Sequence, residues 1–173
     1  MKRIGFLLIC LMMMAATSST YAQKFAYVDT EYILENIPAY LQAQAKLDNT
    51  ASQWQKEIDD KFKEVERLYA KFQAEQFLLT EEMKQKKQDE IINLEQEAQE
   101  LQRSRFGYEG DLFKKREELI QPIQDNVFDA VEKLAQTRAY DFIFDKASGG
   151  ATMLYTNPKF DVSDIILNNL GYK

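Results

Sequence analysis

The sequence contains no histidine, one cysteine at position 10, three prolines and six glycines in 173 residues. Without histidine there is no imidazole general base, no serine–histidine or cysteine–histidine nucleophile pair and no histidine metal ligand. Long apolar runs are also missing. The longest, Ile4 to Ala16, spans 13 residues, short of the roughly 20 that cross a bilayer as a helix. Lys2 and Arg3 precede that run and TSSTYA follows it, which is the three-part plan of a secretory signal peptide over residues 1–22, with cleavage expected after Ala22. Cys10 sits inside the apolar core behind Leu7, Leu8 and Ile9, a poor setting for lipid attachment, so the exported chain lacks cysteine. Its net charge becomes −8, since Lys2 and Arg3 leave a chain of −6. A basic face for phosphates is therefore not expected, and nucleic acid is excluded as a partner.

What the chain has in abundance is helix-forming sequence. Between Pro38 and Arg138 the only proline is Pro122 and the only glycines are Gly107 and Gly110, in a stretch rich in Glu, Gln, Lys, Ala and Leu. In the first half, Leu47, Ala51, Trp54, Ile58, Phe62, Val65, Tyr69 and Phe72 recur at steps of 3 and 4, one stripe of a helix. In the second half, Ile91, Leu94, Ala98, Leu101, Arg105, Tyr108 and Leu112 alternate steps of 3 and 4, as a coiled-coil seam does. An unbroken helix of this length would reach roughly 150 Å, and LLTEEMKQKK supplies a break, with Thr80 as N-cap and Glu81 and Glu82 in the first turn. A tight hairpin requires facing positions to have a constant sum. Val65 with Leu94, Ile58 with Leu101, Trp54 with Arg105 and Leu47 with Leu112 all sum to 159, and half of that falls at Leu79–Thr80.

The spacing thus predicts an antiparallel coiled-coil hairpin over residues 38–122, its tip near 79–80. The seam residues are Leu47, Trp54, Ile58, Phe62, Val65, Tyr69 and Phe72 on one arm, and Ile91, Leu94, Leu101, Arg105, Tyr108 and Leu112 on the other. Arg105 is expected to lie against Trp54, either as a cation over the ring or with its aliphatic stem across it. Near the tip the seam positions fall to Gln76, Met83, Lys87 and Glu90, which predicts soft pairing there. Phe106 and Phe113 lie roughly 90–110° from the stripe, and Ile120 and Val127 continue that flank. With Phe77, Leu78 and Leu79 at the tip, Phe106 and Phe113 are the candidate surfaces for a partner.

Residues 23–37 and 123–173 are expected to form a small β-rich body, which makes the chain α+β. FAYVDT (25–30) reads as a buried strand, with Thr30 capping a short helix before Pro38. YDFIFDK (140–146) and ATMLYT (151–156), joined by SGG, read as a β-hairpin; Pro122 is expected to interrupt or kink the second helix, and Ser163 to cap the last one. Three strands are few for independent stability, which points to self-association. The carboxylates best suited to acid–base chemistry, Asp29, Asp141, Asp145 and Asp161, fall at strand ends and helix caps, where backbone bonding accounts for them, so no enzyme is expected.

FAYVDTEYILENIPAY, LLTEEMKQKK and the stretch from Leu119 to Leu170, with Gln121-Pro122-Ile123 and Asp161-Val-Ser, resemble the Skp/OmpH family of periplasmic chaperones over the whole exported chain. The resemblance implies a jellyfish-like homotrimer whose tentacles surround a cavity, and clients that are unfolded outer-membrane proteins held against aggregation in the periplasm without ATP or metal. No phosphate loop or metal cage is legible in the sequence. One departure stands out. Family members are often basic, whereas residues 40–137 here hold 21 acidic and 15 basic side chains, so strong attraction to acidic clients or to an anionic membrane surface is not expected. The alternative reading is an envelope spacer or adaptor that docks its hairpin on one specific partner.

Overall fold

The computed structural model describes residues 23–149 and 153–173; the expected signal segment lies outside them. β1 (Phe25–Val28) leads into the short helix α1 (Thr30–Glu35), and α2 (Pro38–Glu75) then runs outward for 38 residues, about 57 Å at 1.5 Å per residue. Pro38 occupies the first turn of α2, where a missing N–H costs nothing. A 3-10 turn over Gln76–Leu78 and an extended Leu79 reverse the chain, and Thr80 Oγ1 accepts from the Met83 N–H at 3.3 Å to start α3 (Glu81–Phe106).

The return arm is not one helix. α3 ends at Phe106 and α4 (Asp111–Arg138) begins after four intervening residues, with Glu109 among them in the left-handed region at φ 52°. Two glycines make this break by close approach. A Cβ on Gly107 would collide with the Arg103 carbonyl oxygen, and one on buried Gly110 would stand 2.8 Å from Ser104 O and 2.9 Å from Gly107 O. The return arm is therefore not interrupted at Pro122: α4 continues helical through that residue, and the interruption lies at Gly107–Gly110. Tyr108, read as a seam residue, stands in this break and is 96% exposed. Its side chain leaves the stripe because the backbone that would have carried it there is no longer helical.

The body gathers β1, α1, the base of α4 and the last helix α5 (Ser163–Leu170) around Ala26, Val28, Ile33, Ile37, Val127, Leu134, Val162, Ile166 and Leu167. Ile120, higher on α4, is also buried. β2 (Phe142–Asp145) pairs with β1 in parallel, Phe25 opposite Phe142 and Val28 opposite Asp145, and Tyr27 makes a parallel bridge to Asp161 on the other edge of β1. The expected β-hairpin is thus replaced. From β2 the chain must cross to the far edge of β1, and the described residues 153–157 of this crossing form no strand; residues 150–152 lie outside the described part. β1 is not buried on both faces either: Phe25 is 43% exposed while Ala26, Tyr27 and Val28 are covered. Two caps also differ from expectation. Asp29, not Thr30, accepts from the Tyr32 amide to cap α1, and Ser163 is the first residue of α5 rather than its cap.

Candidate functional site

The arm exposes apolar side chains at three levels. At the tip the 3-10 turn is too short to have an inner face, so Phe77 and Leu78 are 88% and 86% exposed, while Leu79 is half-buried. Along α2 and α3, Tyr69, Met83 and Ile92 are about half exposed. Around the break stand Tyr108 and Phe113, the latter beside Tyr40 and Ile120, with Phe106 half-buried at the end of α3. Of the five partner-facing candidates read from sequence, Phe77, Leu78 and Phe113 are open to solvent, and Leu79 and Phe106 are partly covered.

Between these levels the two arms pack. Leu47, Ile58, Phe72 and Ile91 are buried, and Trp54, Phe62, Val65, Leu94, Leu101, Arg105 and Leu112 are half-buried. Tyr69 departs from the seam towards solvent. The Arg105 guanidinium lies 4.6 Å from the centre of the Trp54 ring and donates from Nη1 to Asp111 Oδ2 at 2.7 Å, while its buried Nε has no partner among the described residues. One side chain therefore joins α2, α3 and α4 across the break. Lys61 and Glu97, 3.4 Å apart, link the arms on the surface, where such a pair contributes little.

The body shows a different surface. Phe25, Phe142 and Phe144 stack on the open side of the sheet with centroids 5.7–6.4 Å apart, and each is at least 43% exposed. The alternation Phe142, Ile143, Phe144, Asp145 was the signal for this: period 2 sends both rings to one side, and parallel pairing adds Phe25 beside them. Leu154 and Tyr155 are exposed nearby in sequence at 95% and 81%.

The four body carboxylates make local bonds. Asp29 accepts from the Tyr32 amide at 3.0 Å and pairs with Lys146 at 2.8 Å, which holds its carboxyl below the usual carboxylate range and raises Lys146. Asp145 accepts from the Thr30 amide and hydroxyl, Asp161 from the amide and hydroxyl of Ser163, and Asp141 from the Lys24 amide. Each carboxylate is used by neighbouring backbone, and together they fasten the two ends of the chain. Among the described residues no group of acidic side chains is arranged to hold a metal ion, and no helix is long and apolar enough to cross a membrane.

The chain matches known proteins over nearly all of this architecture. The family described as Outer membrane protein (OmpH-like) matches residues 24–170. An uncharacterized protein of Aquifex aeolicus (strain VF5) is 31% identical over 151 residues, which covers 87% of this chain and 88% of that one. The crystal structure of an OmpH-like candidate outer membrane chaperone of Caulobacter crescentus CB15 superposes with a TM-score of 0.67 at 12% identity, covering 90% of this chain and 88% of the other. At that identity the likeness is one of fold.

Proposed function

The chain belongs to the OmpH-like family, and from that premise we propose that it is an ATP-independent holding chaperone of the periplasm that keeps unfolded outer-membrane proteins from aggregating. The observation that carries this reading is the distribution of uncovered apolar surface along a projecting arm: Phe77 and Leu78 at the tip, Tyr69 and Ile92 along it, and Tyr108 and Phe113 at the break. These are separate small surfaces rather than one deep cavity. An unfolded chain presents many weak apolar segments, and several such surfaces acting together bind it with an avidity that none has alone.

Multiplying the arms strengthens that effect. The stacked Phe25, Phe142 and Phe144, with Leu154 and Tyr155, leave the body with an apolar surface that a soluble monomer has reason to cover. Self-association through it into a homotrimer would set three arms around one volume. Holding needs no cofactor, and release follows when the client's own folding offers better burial than the arms do. The acidic balance of the arms separates this chain from attraction to anionic lipid or acidic clients.

The test is to dilute a urea-unfolded outer-membrane β-barrel protein into buffer containing the chain and follow light scattering. Suppression near one assembly per client is expected. It should weaken in a Phe77→Ser/Leu78→Ser variant and in a Phe106→Ser/Phe113→Ser variant that retain the native assembly. Unchanged aggregation with the unaltered chain would contradict the proposal.

A further inference from the structure

We infer that, near its tip, the arm holds an extended, uncharged segment of the unfolded client along one of its two faces and turns the other to solvent. This rests on the chaperone reading and names the surface that does the holding. α2 and α3 meet through Phe72 and Ile91, both buried, so a groove between the helices runs on each side of that line. At about 100° per residue, Tyr69, Gln73, Gln88 and Ile92 fall on one side, and Glu64, Glu90 and Glu97 on the other.

The two grooves differ in chemistry. The first is lined by Glu64, Glu82, Asp89, Glu90 and Glu97 with one basic side chain, Lys86. The second is lined by Tyr69, Gln73, Gln76, Gln88 and Ile92, with Glu95 its one charged residue. Tyr69 and Ile92 are 53% and 49% exposed there. In a chain of net charge −6 this near-neutral strip is a local property, not a consequence of composition.

Its occupant follows from the lining. An extended segment sends alternate side chains to one face and leaves its peptide groups unpaired along both edges. Apolar side chains on that face would cover Tyr69 and Ile92. The glutamine amides, each both donor and acceptor, would bond the peptide groups without selecting a sequence. Charge matching decides between the faces: a neutral segment leaves only Glu95 without an ion-pair partner in the second groove, whereas in the first it would cover Glu82, Asp89 and Glu90, which, unlike Glu64 and Glu97, make no ion pair among the described residues. The inferred occupant is therefore a segment alternating apolar with uncharged polar residues.

The chain has no cysteine after position 10, so single substitutions create unique attachment sites in the exported protein. Gln73→Cys and Gln88→Cys place a photo-crosslinker on the glutamine face, and Glu64→Cys and Glu90→Cys place it on the acidic face. Each labelled protein is mixed with a urea-unfolded eight-stranded outer-membrane β-barrel protein on dilution, and light scattering is read in the same samples. The expected result is several-fold more crosslinking to the client from positions 73 and 88 than from 64 and 90. Equal yields, or a preference for 64 and 90, with aggregation still suppressed, overturn the inference and leave the chaperone reading standing. Crosslinks from 73 and 88 to another copy of the chain in place of the client also overturn it. Aggregation that proceeds unchecked with no crosslinks overturns both.

Discussion

Arg105 lies 4.6 Å from the centre of the Trp54 ring and 2.7 Å from Asp111, so one guanidinium stacks on the outgoing helix and bonds the first residue beyond the break in the returning one. Positions 54 and 105 sum to 159, the register that the two stripes require. The pair thus holds the hairpin's register where the return arm is weakest. A double-mutant cycle of Trp54→Ala and Arg105→Ala should show a coupling of about 1 kcal/mol in urea unfolding. Additive effects would mean that the two side chains stabilise the arm independently.

The break itself has an asymmetric sensitivity. Gly110→Ala places a methyl group 2.8 Å from Ser104 O and 2.9 Å from Gly107 O, both backbone atoms, and should cost about 1–3 kcal/mol. Glu109→Gly, one position earlier, relieves a left-handed conformation at φ 52° and should be neutral or stabilising by up to about 1 kcal/mol. Thermal denaturation of the two variants checks this; similar losses in both would mean that the break is not held in this geometry.

The contrast between tip and break shows what could be read from sequence. The arms were legible because the helical period repeats from Leu47 to Phe72 and from Ile91 to Arg105, and because Thr80 followed by Glu81 and Glu82 marks a helix start. The break was not, because the stripe runs on through Tyr108 and Leu112 in perfect step. Periodicity reports the order of side chains and is blind to the backbone between them. Gly107 and Gly110 were visible, but the carbonyl oxygens that crowd them belong to the folded turn. In the body, YDFIFDK (140–146) was legible as a strand, but its nearness in sequence to ATMLYT suggested a hairpin with that segment, whereas its partner is β1 at the other end of the chain. Tyr69 and Ile92 were hidden for a related reason: a stripe has two flanks, and only packing decides which flank stays open.

The tip should be the first part of the hairpin to open. Gln76 and Lys87 are half-buried and Met83 and Glu90 exposed where the seam would need apolar side chains, and the nearest buried pair is Phe72 and Ile91. Amide exchange in Gln76–Glu90 should be markedly faster than in Trp54–Val65 and Ala98–Arg105. Equal protection throughout would contradict a soft tip.

Acid should loosen the body through Asp29. The bond from Lys146 and the Tyr32 amide lower its pKa in the fold, so the folded chain binds that proton less tightly than the unfolded one. The resulting stability is complete above the unfolded value of about 3.9 and is lost as pH falls through the lower folded value. Lys146, raised by the same bond, contributes below its unfolded value of about 10.4 and loses this only as pH rises through its higher folded value. Asp29→Asn should therefore cost about 1 kcal/mol at pH 7 and show a flatter decline in urea midpoint between pH 5 and pH 2. A decline as steep as that of the unaltered chain would place the acid sensitivity elsewhere.

Capture by apolar surface rather than by charge predicts weak salt dependence. The affinity for an unfolded barrel protein should change less than about threefold between 50 and 300 mM salt, because no dense cationic surface is being screened. A steep fall across that range, followed by fluorescence titration, would show that electrostatic attraction dominates.

In the proposed mechanism several arms act as one assembly and hold a single unfolded chain. Native mass spectrometry of the exported protein, alone and after dilution of a urea-unfolded outer-membrane β-barrel protein into it, tests this directly. Three copies alone, and three copies with one client when mixed, are expected. A monomer that acquires no client would contradict that mechanism.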